Sequence, residues 1–290
     1  MTQTWNLQPG AEPFPGYRLH LPIGRGGFSE VWEAETAGGR KRVALKFMAT
    51  RGGSAAANEV RSIQALRQLR HPNLVCVDHV WCQPGYVVVA MELADGSLAD
   101  LLDGYQIERG TAIPPEELCG YLIDAAEALD FLHRRQHVRD GHRVAYQHCD
   151  VKPGNLLVFG QSLKLADYGL AVETTQAFTP RRAAGTLAFA APEIFRGQLS
   201  ERSDQFSLAV SYCQLRGGRL PFPEPPRFSP TYVHPEPDLG MLTPPERQII
   251  ARALSPRPLG RWYSCGTMIR RLARLFHVVV DESGYDTVKI

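Results

Sequence analysis

Three polar side chains in the stretch QHCDVKPGNLL, residues 147–157, have types and a spacing that could support chemistry. Asp150 can orient a substrate hydroxyl group and accept its proton. Lys152 can neutralise charge on a phosphoryl group during its transfer, and Asn155 can ligate a metal ion through its side-chain carbonyl oxygen. A polar turn between a helix and a strand could contain the same residue types, but this spacing favours a catalytic role.

A further acidic candidate stands in LKLADYGL, residues 163–170, where Asp167 ends a short apolar strand and Gly169 follows two residues later. A carboxylate in that place is a good ligand for a hard cation such as Mg²⁺. Taken alone, Asp167 could equally be an ordinary turn aspartate.

Three glycines lie close together in IGRGGFSEVW, namely Gly24, Gly26 and Gly27. Such residues let the backbone approach a ligand closely and direct N–H groups at phosphate oxygens. On its own the cluster favours an ordinary glycine-rich hairpin, since such clusters are common.

A lysine inside an apolar strand follows in VALK, where Lys46 would be costly to bury unless it meets an anion. Glu59, early in the next predicted helix, is its candidate partner. The alternatives are a lysine that extends to solvent and a glutamate on a solvated helix face.

The elements that must position these residues change type along the chain. The N-terminal part predicts strands in YRLHLPIG, EVWEAET, RVALKFMA, LVCVDHVWC and YVVVAMEL, with a turn at Gly38-Gly39 and one helix from about Ala55 to Leu69. Helical periodicity follows in LADLLDGY, PEELCGYLIDAAEALDFLHRR, SDQFSLAVSYCQLRGG, PPERQIIARAL and SCGTMIRRLARLF. The proline-rich stretch at 221–237 predicts an irregular surface loop. A β-rich part therefore joins a mostly helical part near residues 93–97, and ligand sites often lie between two such parts.

Composition excludes several functional classes. The chain has 290 residues, 44% of them hydrophobic and 21% charged, and its formal net charge is +2, so nothing indicates nucleic-acid binding. The six cysteines form no CxxC pair, as expected of reduced thiols in a cytoplasmic protein. The N-terminus does not resemble a signal peptide, and the longest apolar run is far shorter than the roughly 20 residues of a membrane helix.

The order of these motifs is itself informative: GxGxxSxV, VALK, an early-helix Glu, HxDxKxxN, DYG and then APE at 191–193. Over about residues 17–277 the chain resembles the eukaryotic-like serine/threonine protein kinase family, bacterial type. The resemblance implies an α+β, two-lobed protein kinase fold, with a β-rich N-lobe that contains one main helix and a mostly helical C-lobe. It implies transfer of the γ-phosphoryl group of ATP to serine or threonine hydroxyls of proteins, with the chain itself as one candidate substrate.

The resemblance also implies domain bounds and site residues. The expected parts are an N-terminal extension at 1–16, the N-lobe at 17–93, the C-lobe at 94–277 and a C-terminal tail at 278–290. The implied catalytic residues are Asp150, Lys152, Lys46 and Glu59, and the implied ligands of Mg²⁺ or Mn²⁺ are Asn155 and Asp167. The residues implied to bind ATP are Ile23, Gly24, Arg25, Gly26, Gly27, Val31, Ala44, Lys46, Met91, Glu92, Leu93, Ala94 and Leu157.

Supporting roles carry over to the same family positions. Thr186 is expected to hydrogen-bond Asp150 and Lys152, and Glu193 to pair with Arg261. Asp204 is expected to brace the backbone of the catalytic loop, the loop that contains Asp150. Ser29 replaces the third loop glycine, and Tyr168 replaces the Phe of DFG. The segment 134–147 lengthens the link before the catalytic loop and predicts a surface hairpin.

Cys149 is the main departure, because the family usually has an arginine there that pairs with a phosphate on the activation segment. The change concerns regulation and not chemistry, and predicts activity that is constitutive or governed by a partner. A redox switch is the sharper alternative, although a cysteine in a packed loop is usually inert. Thr174, Thr175 and Thr179 are candidates for autophosphorylation.

Two other functions remain open from the sequence. A pseudokinase that binds ATP as a scaffold is the first, although Lys46, Asp150, Asn155 and Asp167 are all intact. A small-molecule phosphotransferase on a related fold is the second, although the GTLAFAAPE segment at 185–193 matches the part of protein kinases that docks a peptide.

Overall fold

The computed structural model describes the chain in two compact units, one formed by Met1–Asp95 with Tyr168–Leu170 and the other by Gly96–Asp167 with Ala171–Ile290. The described residues are 7–26, 29–39, 41–49, 69–83, 85–139, 141–167, 171–174, 187–222, 229 and 231–279. The predicted helix that carries Glu59 lies outside them. The domain bounds expected at residues 16, 93 and 277 stay a prediction.

The first unit contains an antiparallel five-stranded sheet in the order β1-β2-β3-β5-β4. Its strands are β1 (Tyr17–Arg25), β2 (Ser29–Thr36), β3 (Arg42–Ala49), β4 (Val77–Gln83) and β5 (Tyr86–Glu92). Gly38 and Gly39 both adopt positive φ between β2 and β3, a backbone conformation that glycine reaches without strain. All five predicted strands and this turn are confirmed.

One face of this sheet is packed by apolar side chains that alternate along the strands. Leu19, Trp32, Leu45 and Val88 are each at most 4% exposed. The segment before β1 adds Phe14, whose ring stacks on Trp81 of β4 at 4.6 Å between centroids. The period-2 pattern thus fixes which strand residues face the core and which face away.

The second unit is mostly helical. The helices among its described residues are α1 (Leu98–Arg109), α2 (Pro115–His133), α3 (Pro192–Phe195), α4 (Ser203–Gly217), α5 (Pro244–Ala253) and α6 (Cys265–Leu275). Ser97 and Asp100 form a capping box at the start of α1, and Gly110 ends that helix in the left-handed conformation. The five predicted helical segments are confirmed. The described part of the proline-rich stretch contains no helix.

Short strands support the loops of the second unit. They are β6 (Gly96–Ser97), β7 (His137–Arg139), β8 (His142–Val144), β9 (Tyr146–Gln147), β10 (Leu156–Phe159), β11 (Ser162–Leu165) and β12 (Val172–Glu173). β7 and β8 pair antiparallel, which confirms the hairpin predicted within residues 134–147. β11, β10 and β6 form one small sheet, and β9 pairs with β12.

α4 is the central helix of this unit, since most of its residues are buried, polar Asp204 and Gln205 among them. Buried polar side chains require hydrogen-bond partners, and those of Asp204 and Gln205 lie more than fifty positions away in sequence. Within the described ranges no helix is both long and apolar enough to cross a membrane.

Candidate functional site

The β10–β11 hairpin places the two expected metal ligands at its open end. Asn155 closes a turn of 3₁₀ helix directly before β10, and Asp167 follows β11 by two residues. The backbone N–H of Ala166 donates to the carbonyl oxygen of Asn155 at 2.9 Å, which ties the two chain segments together. Hairpin pairing therefore brings together residues that are twelve positions apart.

Asp150 lies at the centre of a small polar network. Its Oδ2 accepts hydrogen bonds from Lys152 Nζ at 2.8 Å and from Asn155 Nδ2 at 2.9 Å. Its Oδ1 is buried and has no hydrogen-bond partner among the residues that the structure describes. A buried carboxylate oxygen normally finds a donor, so Oδ1 is the atom available to a hydroxyl group of a substrate.

The same network determines which side-chain atom of Asn155 can bind a cation. Its Nδ2 donates both to Asp150 Oδ2 and to the backbone oxygen of Asp150 at 2.8 Å. The amide orientation is therefore fixed, and Oδ1 is the atom left for a cation. An amide oxygen and a carboxylate, from Asn155 and Asp167, are a donor set that suits a hard divalent metal, so the residue types present fit the ion that the family resemblance implies.

His148 connects the catalytic loop to the segment before Asp167. Its Nε2 lies 2.8 Å from the carbonyl oxygen of Ala166, which can only accept, so Nε2 carries the proton. Its Nδ1 then accepts from the backbone N–H of Asp150 at 3.3 Å. Both ring nitrogens are used by a neutral, fully buried ring, and His148 is a positioning residue.

Asp204 at the start of α4 braces the catalytic loop, as predicted. Its carboxylate accepts from the backbone N–H groups of His148 and Cys149 at 2.7 and 2.9 Å and contacts His133 Nε2 at 2.8 Å. Burial alone would raise the pKa of Asp204, but the hydrogen bond and charge of His133 and the backbone hydrogen bond from Cys149 hold the pKa below its ordinary value. The carboxylate is therefore ionised in the folded protein.

We expect Asp204→Asn to lower the free energy of unfolding by about 1–3 kcal/mol at neutral pH, because its amide group would face a backbone donor. Since the folded-state pKa is lowered, the contribution of Asp204 is present above its ordinary value of about 3.9 and is lost as the pH falls below it. Urea unfolding of parent and variant from neutral to acidic pH tests this, with Glu201→Gln on the exposed surface as the control. A difference between the two proteins that grows on acidification would contradict it.

Backbone strain occurs next to Asp150 and at Asp167. Cys149 and Asp167 adopt φ of +65° and +68°, which non-glycine residues rarely do. Cys149 is held there through its N–H bond to Asp204, and its Sγ donates to the carbonyl oxygen of Gln147 at 3.5 Å. Strained residues that the surroundings hold in place often mark functional loops.

Glu193 and Arg261 form a buried, two-pronged ion pair, as predicted. The guanidinium donates to both carboxylate oxygens at 2.7 and 2.8 Å, and the two residues are 4% and 1% exposed. Ser203 adds a further donor to Glu193 at 2.7 Å. This pair anchors the APE segment to the start of α4 and to the chain before α6.

In the first unit, the ends of β1 and β2 carry the glycine cluster. Gly24 pairs with Val31, and the N–H of Gly26 donates to the carbonyl oxygen of Ser29 at 2.7 Å. A Cβ at Gly26 would lie only 3.0 Å from Ser29 Oγ, so any residue other than glycine would crowd the side chain of Ser29 in this turn. Ile23 beside it is 45% exposed, an apolar side chain open to a ligand.

Lys46 lies at the middle of β3, between Val31 of β2 and Val89 of β5. Its side chain is half-buried within an otherwise apolar strand, as the sequence predicts. Ala44 on the same strand pairs with Met91 of β5 and is buried.

The end of β5 is tied to the chain before β4. Glu92 is fixed by two hydrogen bonds with Cys76, one from its N–H at 3.2 Å and one to its Oε1 at 2.6 Å. Leu93 and Ala94 follow directly after this fixed residue, and the family resemblance implies that the backbone of Glu92, Leu93 and Ala94 binds adenine.

Six residues with predicted roles lie outside the described residues, namely Gly27, Glu59, Tyr168, Thr175, Thr179 and Thr186. His133 could not be predicted from the sequence as a partner of Asp204, because 71 positions separate them and no local pattern relates them. The same holds for Asp130, whose carboxylate accepts from the N–H groups of Cys265 and Gly266 at the start of α6. Asp130, His133 and Cys265 lie close enough to hold a metal ion, but the first two already have these structural partners.

Comparisons with known proteins agree with this geometry. The family described as "Protein kinase domain" matches residues 17–233. CBL-interacting protein kinase 4 of Oryza sativa subsp. japonica is 30% identical over 267 residues, which cover 85% of this chain and 55% of that protein. The carbon catabolite-derepressing protein kinase of Candida tropicalis is 30% identical over 271 residues, with shares of 88% and 40%.

A bacterial protein is similar to the same extent. Serine/threonine-protein kinase PknF of Mycobacterium tuberculosis is 29% identical over 282 residues, which cover 89% of this chain and 56% of that protein. The chain thus spans about half the length of these curated relatives. With its β-sheet unit, its helical unit and the predicted catalytic-loop hydrogen bonds, the chain belongs to the eukaryotic-like serine/threonine protein kinase family.

Proposed function

We propose that the chain is an active protein kinase that transfers the γ-phosphoryl group of ATP to serine and threonine hydroxyls of proteins. The observation that carries the proposal is the arrangement at Asp150. One carboxylate oxygen is held by Lys152 and Asn155, while the other is buried without a partner among the described residues. A base whose orientation is fixed and whose second oxygen is unused is prepared to accept a hydroxyl proton.

The second unit supplies the groups that act on the transferred phosphoryl group. Asp150 orients the attacking hydroxyl and accepts its proton, and Lys152, 2.8 Å from that carboxylate, offsets negative charge at the reacting centre. Asn155 and Asp167 would hold Mg²⁺, with Mn²⁺ as the substitute. The metal, when bound, neutralises charge on the phosphate oxygens. Leu157 of β10 stays a proposed adenine contact.

The first unit supplies nucleotide-binding groups. The turn at Gly24, Arg25 and Gly26, with Gly27 beyond the described residues, would cover the phosphates with backbone N–H groups. Lys46 would bind the α- and β-phosphates, and its proposed partner is Glu59. The apolar contacts proposed for adenine here are Ile23, Val31, Ala44 and Met91, and the backbone contacts are Glu92, Leu93 and Ala94.

The identity of the acceptor is tested by the product. The chain would be incubated with γ-labelled ATP, magnesium and a generic basic protein such as myelin basic protein, and the labelled amino acid would be identified. We expect phosphoserine and phosphothreonine in the protein and in the chain itself. Phosphotyrosine alone, or label only in a small-molecule acceptor, would contradict the proposal.

Control of activity is proposed to differ from that of relatives with an arginine before the catalytic aspartate. Cys149 cannot pair with a phosphate, and its position is already set by Asp204 and Gln147. We therefore propose that Asp150 is placed without phosphate on the activation segment. Thr174, whose Oγ1 donates to the Ala145 carbonyl oxygen at 3.2 Å, is one proposed autophosphorylation position, together with Thr175 and Thr179.

Phosphatase treatment before the assay is accordingly expected to leave the initial rate of the parent chain unchanged, because no arginine is present at 149 to bind the phosphate. The variant Cys149→Arg is expected to become sensitive to the same treatment. Cys82→Arg, at an exposed cysteine, is the matched control for the added charge. A parent chain that loses its activity after phosphatase treatment would contradict this account.

The location and partners of the whole protein are also proposals. We propose a cytoplasmic location, which the free thiols of the described cysteines support, since no two of them form a disulfide. Protein substrates, the chain among them, are the proposed partners, and the near-neutral net charge gives no reason to propose nucleic acid.

A further inference from the structure

The segment between α4 and α5 contains a histidine that is tied to the APE region. Within residues 231–236, Tyr232 and His234 are half-buried, while Val233 between them is 68% exposed. The ends of the loop are joined, since the N–H of Asp238 donates to the carbonyl oxygen of Pro221 at 2.7 Å. The segment is thus held beside the helical core and not simply extended into solvent.

The ring of His234 occupies an aromatic cage. Its centroid lies 4.4 Å from that of Phe222, 5.3 Å from Phe206 and 5.7 Å from Phe195. Tyr232 completes the cage at 5.0 Å and also packs on Phe195 at 4.6 Å. The three phenylalanines are buried, so an apolar side chain would satisfy this packing as well as a histidine does.

Hydrogen bonds explain why the residue is a histidine. Its Nε2 lies 2.9 Å from the carbonyl oxygen of Ala190, and its Nδ1 lies 3.4 Å from the hydroxyl of Tyr232. Since the carbonyl can only accept, Nε2 donates, and Nδ1 of the neutral ring accepts from Tyr232. Burial lowers the pKa of His234, although its bond to Ala190 opposes that shift, so the ring is neutral near pH 7.

Ala190 belongs to the GTLAFAAPE segment at 185–193, which matches the part of protein kinases that docks a peptide. The N–H of Ala190 donates to the carbonyl oxygen of Leu187 at 3.1 Å, and the chain then enters α3 at Pro192. Glu193 fixes the end of this segment through Arg261. The bond from His234 fixes its middle, from a loop more than forty positions later in sequence.

We propose that His234 is a positioning residue for the peptide acceptor: its Nε2–H sets the backbone of residues 187–193, the segment on which the protein substrate docks. This inference rests on the proposed function, because it needs a protein acceptor that docks on that segment. It predicts that loss of the hydrogen bond weakens recognition of the protein substrate and leaves ATP recognition unchanged.

The test uses a set of variants that separates packing from hydrogen bonding. His234→Phe keeps the ring and removes the donor, and His234→Asn has a donor too short to reach Ala190. His234→Gln extends an amide donor to about the position of Nε2. His142→Phe, at an exposed histidine of β8, is the matched control.

For the full chain with myelin basic protein as acceptor, we expect His234→Phe and His234→Asn to raise the KM for the acceptor by about 2- to 10-fold, the value of one hydrogen bond. The KM for ATP should not change, and His234→Gln should restore the parent KM. Equal effects on both KM values, or an acceptor KM that stays at the parent value in all variants, would overturn the proposal. If His234→Phe does not fold, the KM values of His234→Asn and His234→Gln for the acceptor decide between these outcomes.

Hydrogen exchange separates this inference from the proposed function, because it needs no substrate. Amides of residues 187–193 should exchange faster in His234→Phe and His234→Asn than in the parent, with the parent rate recovered in His234→Gln. If the parent chain transfers no phosphate, the proposed function fails while this exchange result still tests the positioning. Unchanged exchange in both loss variants would overturn the positioning itself.

Discussion

Replacing Asp150 with Asn is expected to lower kcat for phosphoryl transfer by about 10²–10⁴-fold, the usual contribution of a positioned general base. The substitution is nearly isosteric. The amide oxygen of Asn can accept from Lys152 and Asn155 as Oδ2 does now, at 2.8 and 2.9 Å. Its nitrogen then takes the place of Oδ1, the buried oxygen without a partner among the described residues, and cannot accept a proton.

ATP binding separates lost chemistry from lost structure in this experiment. Thermal shift with ATP and magnesium should give the same stabilisation for Asp150→Asn and for the parent chain, while steady-state kinetics report the fall in kcat. Asp103→Asn, at an exposed position of α1, controls for removal of a carboxylate from the same unit. A variant at position 150 that keeps the parent kcat would contradict the assignment of the base.

Replacing Arg261 with Met is expected to lower the free energy of unfolding by about 3–5 kcal/mol, the cost of leaving a buried partner charge uncompensated. Arg261 donates to both oxygens of Glu193 and also to the carbonyl oxygens of Arg202 and Ser255, each at 2.9 Å. Because the pair anchors the APE segment, we also expect the variant to lose most of its transfer activity.

Urea unfolding of the single and double variants measures this cost. Arg257→Met, at an exposed arginine a few residues earlier, should stay close to the parent chain. Glu193→Gln with Arg261→Met should cost less than the sum of the two single changes, because no unpaired charge remains buried. An Arg261→Met variant as stable as Arg257→Met would show that the pair contributes little.

Local chemistry could be predicted from the sequence because the chain itself dictates it. Asp150, Lys152 and Asn155 lie on one tight loop, so their spacing already limits how they can meet, and the structure joins them by direct hydrogen bonds. The strands of the first unit follow from period-2 alternation, and the turn at Gly38-Gly39 from the positive φ that glycine tolerates.

Hydrogen-bond partners far apart in sequence could not be predicted unless both residues stand at recognised positions of the family. Glu193 and Arg261 could be matched through the resemblance, but His133 with Asp204 and His234 with Ala190 could not. These pairs join elements whose packing depends on the whole unit, and a lone histidine in a sequence carries no sign of the acceptor it will meet. The positive φ of Cys149 could not be predicted for the same reason, because the carboxylate that holds it belongs to Asp204, 55 positions away.

The most direct test of the central claim is incorporation of label from γ-labelled ATP, with magnesium, by the parent chain and by Asp150→Asn and Asp167→Ala. The account predicts label on protein serine or threonine for the parent and none above background for either variant. Stabilisation by ATP without any incorporation by the parent would contradict it, and would favour a nucleotide-binding scaffold in place of an enzyme.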